Sequence, residues 1–253
     1  MLLGEPPRTP YDLNFSLFGI PVRVHPLFWL VTLVLGAQSR DVASVLTWVV
    51  AVFISILVHE LGHAAVMRAY GFRPWITLYG LGGLASYDQG RTYGSKGAEP
   101  LGQILMSLAG PAAGFLLAAT LLAGLVPTGY WQQIDFVSPF GLRPKVVGLD
   151  NDRLAGLVND MFRICVLWGL VNLLPIYPLD GGQVAREILQ KLNGSAGIRQ
   201  SLMLSMLAAG MMAAYGLLHR QEQPDWFIAL FFGYMAYSSY AALQAYSNRG
   251  PWP

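Results

Sequence analysis

From Val42 to Val58 the chain runs seventeen residues without a charged side chain, and the run ends directly in His59-Glu60-Leu61-Gly62-His63. In the hydrocarbon of a bilayer no water satisfies backbone N–H and C=O groups, so a run of this kind crosses only as a helix. Residues four apart share one helical face. His59 and His63 can therefore offer imidazole nitrogens to one tetrahedral Zn²⁺, with Glu60 projecting beside them as a general base. Ionisable groups at such depth are costly and mark function. The pattern points to metal-assisted hydrolysis within a membrane.

The rest of the chain agrees with a membrane setting. Of 253 residues, 54% are hydrophobic and 12% charged, against about one quarter charged in soluble domains. Segments 25–38, 42–69, 101–126, 157–175, 198–218 and 226–246 read as spans. The expected fold is an all-α polytopic membrane protein of about six transmembrane helices. Residues 1–24 read as a cytoplasmic or interfacial segment, 25–246 as one transmembrane domain with its catalytic core at about 42–193, and 247–253 as a short tail. The first span is short and is expected to begin in the interface near Gly19 to Val22. Residues 183–193, with Arg186, Glu187 and Lys191, read as an amphipathic helix along the membrane. The N-terminus lacks the basic start, apolar stretch and cleavage site of a signal peptide.

The net charge of +2 is small and scattered, which excludes a nucleic-acid partner. Cys165 is the only cysteine, so no internal disulfide is available, and its apolar surroundings in sequence read as core. With the N-terminus in the cytoplasm, ten Lys and Arg fall inside, among them Arg68, Lys96 and Arg199, against five outside, among them Arg40, Lys145 and Arg220. The positive-inside rule then places both termini in the cytoplasm of a bacterial-type cell membrane. His59 comes to lie roughly 26 Å along the helix axis from Val42, toward the cytoplasmic face.

Two histidines leave a catalytic zinc site one protein ligand short. By residue type, His25 and His219 are candidates, although each sits at an expected helix end where an imidazole is ordinary. Asp180 is the third candidate, in Asn172-Leu-Leu-Pro175-Ile-Tyr-Pro178-Leu-Asp180-Gly181-Gly182. Two prolines without backbone donors and two glycines make this segment leave the helix, which can aim the carboxylate sideways. Unwound backbone at that depth requires a protein-lined, wet cavity.

HELGH on an apolar helix, followed two helices later by NLLPIYPLDGG, resembles the site-2 protease family of intramembrane zinc metalloproteases. Gly19-Ile-Pro-Val-Arg-Val-His25, Ile76-Thr-Leu-Tyr-Gly80-Leu-Gly82-Gly83-Leu-Ala85 and Ser107-Leu-Ala-Gly110-Pro111 fit the same pattern. The resemblance implies hydrolysis of peptide bonds in or near the transmembrane segments of single-span proteins, in regulated intramembrane proteolysis. It implies one Zn²⁺ per chain on His59, His63 and Asp180, with Glu60 as base. Asn172 would be carried over as the polar residue that holds water or the oxyanion; its other reading is a polar helix–helix contact. The stretch Trp75 to Tyr87 is β-prone and then glycine-rich, and together with the resemblance reads as a small re-entrant hairpin or loop near the active site. Its edge, placed at Ile76 to Tyr79, could pair with an unwound substrate.

Two departures from the family stand out. Gly114 occupies the position, after Gly110-Pro111, where members often carry Asn. The segment 127–156 is too short for a PDZ domain and no CBS pair follows, so the chain reads as a minimal member. Regulation would come from a separate protein, and the other partners are membrane lipids. Two competing readings are a membrane zinc protease for lipidated substrates and a pseudoprotease that retains membrane clients. The first takes its third ligand from a Glu on a later helix, which the later spans lack. Against the second stand an intact Glu60 and all three candidate ligands.

Overall fold

The computed structural model describes residues 5–37, 41–88, 97, 99–125, 131–135, 143–147, 152–218 and 225–247. Packing divides the chain into two compact units, one of residues 1–98 and 109–170, the other of 99–108 and 171–253. His219, Arg40, Lys96 and the C-terminal tail lie outside the described residues.

The first unit is built on a four-stranded sheet and a long helix. Strands β1 (Leu13–Leu17) and β2 (Ile20–Val24) form a hairpin. Its two-residue turn, Phe18-Gly19, takes positive φ of 51° and 74°, the turn twist that matches flanking strands. Strands β3 (Pro74–Tyr79) and β4 (Gly82–Tyr87) form a second hairpin. β2 and β3 pair in parallel through Val22–Ile76, Arg23–Thr77 and Val24–Leu78, giving the order β1-β2-β3-β4. Residues before His25 are thus part of the same sheet as the expected hairpin.

The sheet alternates as a half-buried sheet must. Val22, Val24, Ile76 and Leu78 face the core formed with Phe28, Val52, Ile56 and Leu57. Between them, Arg23 and Thr77 face the other way. Arg23 meets Glu5 at 2.9 Å and Asp12 at 3.0 Å, and Thr77 donates to Glu5 at 2.7 Å. Burial disfavours the Asp12 carboxylate, but hydrogen bonds from Thr9 and Arg23 outweigh it and hold its pKa down at about 2. Burial likewise opposes the charge of Arg23, and its two carboxylate partners hold its pKa above the usual value.

Helix α1 (Pro26–Gly36) has Pro at its start and His25 as its cap. Its eleven residues reach about 16 Å, half of a bilayer core, so the first expected span is, among the described residues, a short apolar helix. Helix α2 (Val42–Ala69) has 28 residues, starts at the Asp41 cap accepting from Ser44 N, and ends at Tyr70-Gly71, where Gly71 takes φ +85°. Helix α3 (Pro100–Leu125) carries Pro111 inside it. Strands β5 (Trp131–Asp135) and β6 (Arg143–Val147) form a separate antiparallel pair before α4 (Asp152–Asn172).

In the second unit the chain leaves α4, runs without helix through residues 173–179, and re-enters it at α5 (Asp180–Asn193). The non-helical stretch, with a cis Tyr177–Pro178 bond, is packed against α6 (Ser195–Leu218) and α7 (Trp226–Ser247). Ile176 and Leu179 share a cluster with Ala208, Ala209, Phe232 and Met235. The Tyr177 N–H donates to Ser205 Oγ at 3.0 Å, so a backbone donor freed from the helix still has a buried partner.

Among the described residues, α2, α3, α4, α6 and α7 are long and apolar enough to cross a membrane. Five such helices, one short apolar helix and a small sheet near α2 make up the polytopic fold expected from the sequence.

Candidate metal centre

Of the buried residues of α2, Val52, Ser55, Ile56, His59, Glu60, His63, Ala64 and Met67 form one continuous stripe at helical spacing, with Ala51 and Leu57 beside it. The pentad therefore lies on the packed face of a membrane-length helix. His59 is 3% exposed, Glu60 5% and His63 7%, which puts all three away from lipid and bulk water.

The two imidazoles meet edge to face, with centroids 4.9 Å apart and planes at 78°. Their Nε2 atoms face each other at 3.2 Å. Two nitrogens each about 2.05 Å from a tetrahedral zinc stand about 3.3 Å apart. The histidine pair thus has the bite of a zinc site, and its donor chemistry fits Zn²⁺.

Two glycines that the sequence reading placed only in the family pattern and, for Gly83, along a water entry complete the surroundings. A side chain at Gly110 would run into the His63 ring, with its Cβ 2.5 Å from Cε1, 2.7 Å from Cδ2 and closer still to Nε2. A side chain at Gly83 would run into Glu60, its Cβ 2.6 Å from Cδ and closer to Cγ and Oε1. The available signal was their place in Gly110-Pro111 and Gly82-Gly83, two stretches of the family pattern. Within the pentad, a Cβ at Gly62 would press on the Ala109 carbonyl and on Ala113 Cβ at 2.7 Å, so α2 and α3 touch backbone to backbone there.

His25 is placed elsewhere by its bonds: Nδ1 accepts from Leu27 N at 3.1 Å, and its own N–H donates to Leu78 O at 2.9 Å. It caps α1 and locks that helix to β3. Cys165 is buried among Ala118 and Phe162, a core residue as expected. Asn172 and Asp180 stand at the two ends of the 173–179 stretch in the second unit, one closing α4 and one opening α5, both 7% exposed. Asp180 was expected within unwound backbone; it is the first residue of α5, where the helix dipole favours a carboxylate. Gly181 and Gly182 fold that helix start against the chain before it, since Cβ atoms there would meet Leu174 O at 2.6 Å and Ile176 O at 2.5 Å.

The hairpin is present, but its exposed edge is not where the sequence placed it. β3 is an interior strand, paired on both sides, with Ile76, Thr77 and Leu78 fully buried. The parallel partner β2 occupies the side of β3 expected to be open. The edge is β4. Because Leu78 O accepts from His25 N, Leu78 directs its backbone polar groups toward β2, and Thr77 and Tyr79 direct theirs toward β4. Leu84 and Gly82 then pair with β3, while Gly83 and Ala85 turn their N–H and C=O groups outward.

Comparison with known proteins places the chain. Residues 47–214 match the family model of peptidase family M50. The zinc metalloprotease MJ0392 of Methanocaldococcus jannaschii is 30% identical over 210 residues, covering 79% of this chain and 53% of that protein. A putative zinc metalloprotease of Synechocystis, sll0528, is 31% identical over 194 residues, covering 71% of this chain and 44% of that protein. The solved site-2 protease from Methanocaldococcus jannaschii has the same fold, with a TM-score of 0.56 over 92% of this chain and 95% of that one at 22% identity. The chain belongs to peptidase family M50. It is a multi-pass integral membrane protein and spans about half the length of the curated relatives it matches.

Proposed function

We propose that the protein is an intramembrane zinc endopeptidase that hydrolyses peptide bonds in or near the transmembrane segments of single-span proteins, and serves regulated intramembrane proteolysis. The observation that carries the reading is the histidine pair, with facing Nε2 atoms 3.2 Å apart and Glu60 between them in sequence, on the buried face of a membrane-length helix. Family M50 membership and relatives named as zinc metalloproteases support it.

In this reading His59, His63 and Asp180 hold one Zn²⁺ per chain. Bound there, the ion supplies a Lewis acid and makes water acidic enough to deprotonate near neutral pH. Glu60 takes the proton from the attacking water and later returns it to the leaving amine. Asn172 is proposed as a hydrogen-bond donor to the oxyanion. A helical substrate must unwind before attack, and its freed backbone groups need partners. The outward groups of Gly83 and Ala85 on β4 can supply them, with Gly83 already against Glu60.

The same reading places both termini and Lys96 in the cytoplasm, from the bias of basic residues, and assigns regulation to a separate protein. The test is to load the purified protein with zinc and offer a single-span substrate. Glu60→Gln should keep the metal and lose cleavage, whereas His59→Ala, His63→Ala and Asp180→Ala should each weaken zinc binding. Full zinc affinity in Asp180→Ala would remove that residue from the ligand set.

A further inference from the structure

We infer that Gly110 and Gly83 are positioning residues of the metal centre: Gly110 keeps side-chain atoms out of the space that the His63 ring needs to present Nε2 beside that of His59, and Gly83 keeps them out of the space in which the Glu60 carboxylate moves. The inference rests on the zinc reading above and goes beyond the ligand set.

What separates these two from other tightly packed glycines of the same unit, such as Gly36 against Trp48 and Gly169 against Phe115, is that a Cβ would strike a residue of the metal centre. At Gly110 the three heavy atoms nearest to a hypothetical Cβ all belong to the His63 ring, and the closest is Nε2, the atom that faces His59. The Cβ would sit over the ring face at Nε2, close to Cε1 and Cδ2 as well, so a methyl group there pushes the imidazole out of its place. The ring is 7% exposed and cannot simply swing into solvent. At Gly83 the three nearest atoms all belong to the Glu60 side chain, including Oε1. The residue lies on β4 opposite Leu78, on the face turned to α2, so the direction of its missing side chain is fixed by the sheet. By contrast, among the described residues a Cβ at Gly124, on the same helix as Gly110, meets nothing within 4 Å, and one at Gly114 meets only Cys165 O at 3.4 Å.

The two positions act on different halves of the chemistry. A methyl at Gly110 displaces or tilts the His63 ligand; a methyl at Gly83 fixes or displaces the base and leaves the ligands alone. Neighbours that orient metal sites typically change affinity or activity about tenfold to a hundredfold when altered. An effect of that size is expected from each, on a different observable.

The experiment compares wild type, Gly110→Ala, Gly83→Ala and Gly124→Ala as full chains in lipid nanodiscs. It reads zinc affinity by competition with a chromogenic chelator, thermal unfolding of the chelated proteins, and kcat and KM on a single-span substrate. Gly110→Ala should unfold like wild type when chelated and bind zinc about tenfold to a hundredfold more weakly. Gly83→Ala should bind zinc as wild type does and lose kcat by a similar factor with KM little changed. Gly124→Ala should match wild type throughout. Wild-type zinc affinity in Gly110→Ala overturns the first assignment, and wild-type kcat in Gly83→Ala overturns the second.

If Gly110→Ala does not fold, the double variant His63→Ala/Gly110→Ala decides. Recovery of folded protein locates the conflict at the His63 ring, as inferred. Continued misfolding assigns Gly110 to helix packing alone and overturns the inference. Failure of wild type itself to bind zinc or to cleave would instead sink the function on which the inference rests.

Discussion

Ser205→Ala and Ser239→Ala are the same chemical edit at two equally buried helix positions, each 1% exposed, and only the first should destabilise the protein. Ser205 Oγ accepts the Tyr177 N–H at 3.0 Å and donates to Ser201 O at 2.8 Å. Truncation leaves Tyr177 with a buried, unpaired backbone donor, which costs about 1–3 kcal/mol. Ser201 O keeps its place in the helix ladder, so only one group is orphaned. Ser239 Oγ has no hydrogen-bond partner among the described residues. Burying a hydroxyl in that way is already unfavourable, and its removal should be neutral or stabilising by about 1 kcal/mol. Tyr177 lies in the stretch that leads to Asp180, so part of the Ser205→Ala cost should fall on the metal. Each 1.4 kcal/mol spent there weakens zinc about tenfold. Unfolding of the chelated proteins by SDS in mixed micelles gives the first quantity, and zinc competition gives the second. Equal shifts for the two variants would refute the hydrogen-bond argument. A destabilised Ser205→Ala with unchanged zinc affinity would detach the 173–179 stretch from the metal.

The strand assignment gives a paired test. Leu84→Pro removes a donor that β4 spends on β3 and should destabilise the sheet, whereas Ala85→Pro removes an outward donor and should lower cleavage with zinc content intact; equal cleavage by Ala85→Pro and wild type would end the edge-strand model. Asp12 has a folded pKa of about 2 against an ordinary 3.8, so its contribution is complete above pH 3.8 and is lost as pH falls from there toward 2. Stability on account of this group should be flat from pH 7 to pH 5, and Asp12→Asn should flatten the acid limb of a melting series. Arg23→Met leaves the Asp12 carboxylate buried without its cation and should cost about 3–5 kcal/mol, read by chemical unfolding; Glu5, being part exposed, adds little to that figure. Removing zinc should lower the melting temperature, by the equivalent of about 2.7 kcal/mol when free zinc stood at a hundred times its Kd, and the shift should vanish in His63→Ala.

Local signals were legible and non-local pairings were not. The face shared by His59 and His63 follows from helical periodicity, and the structure keeps it. The span limits of α2 and α7 follow from hydropathy. The stretch Gly19 to His25 read as a lead into the first span, yet β2 pairs in parallel with a strand more than fifty residues later. Nothing near Val22 announces Ile76 as its partner, and without that pairing β3 looked like an edge. His25 offered a signal that was under-used: Pro26 directly after it marks a helix start, where a side-chain cap is worth more than a free ligand. Gly181-Gly182 read as part of the unwound segment because glycine permits unusual dihedrals. Tertiary packing overrides that preference, since only glycine lets α5 begin so close to Leu174 and Ile176. The contacts of Gly83 and Gly110 could not be read from sequence at all, because what matters there is which side chain an absent Cβ would strike.

The account stands most directly on one measurement: mass spectrometry of a single-span substrate cleaved in ¹⁸O-labelled water by zinc-loaded wild type and by Glu60→Gln. The expected result is a cut within or beside the apolar segment, with ¹⁸O in the new carboxyl group, made by wild type and absent from Glu60→Gln at equal zinc content. The same cut from Glu60→Gln, or none from zinc-loaded wild type on any single-span substrate, would contradict it.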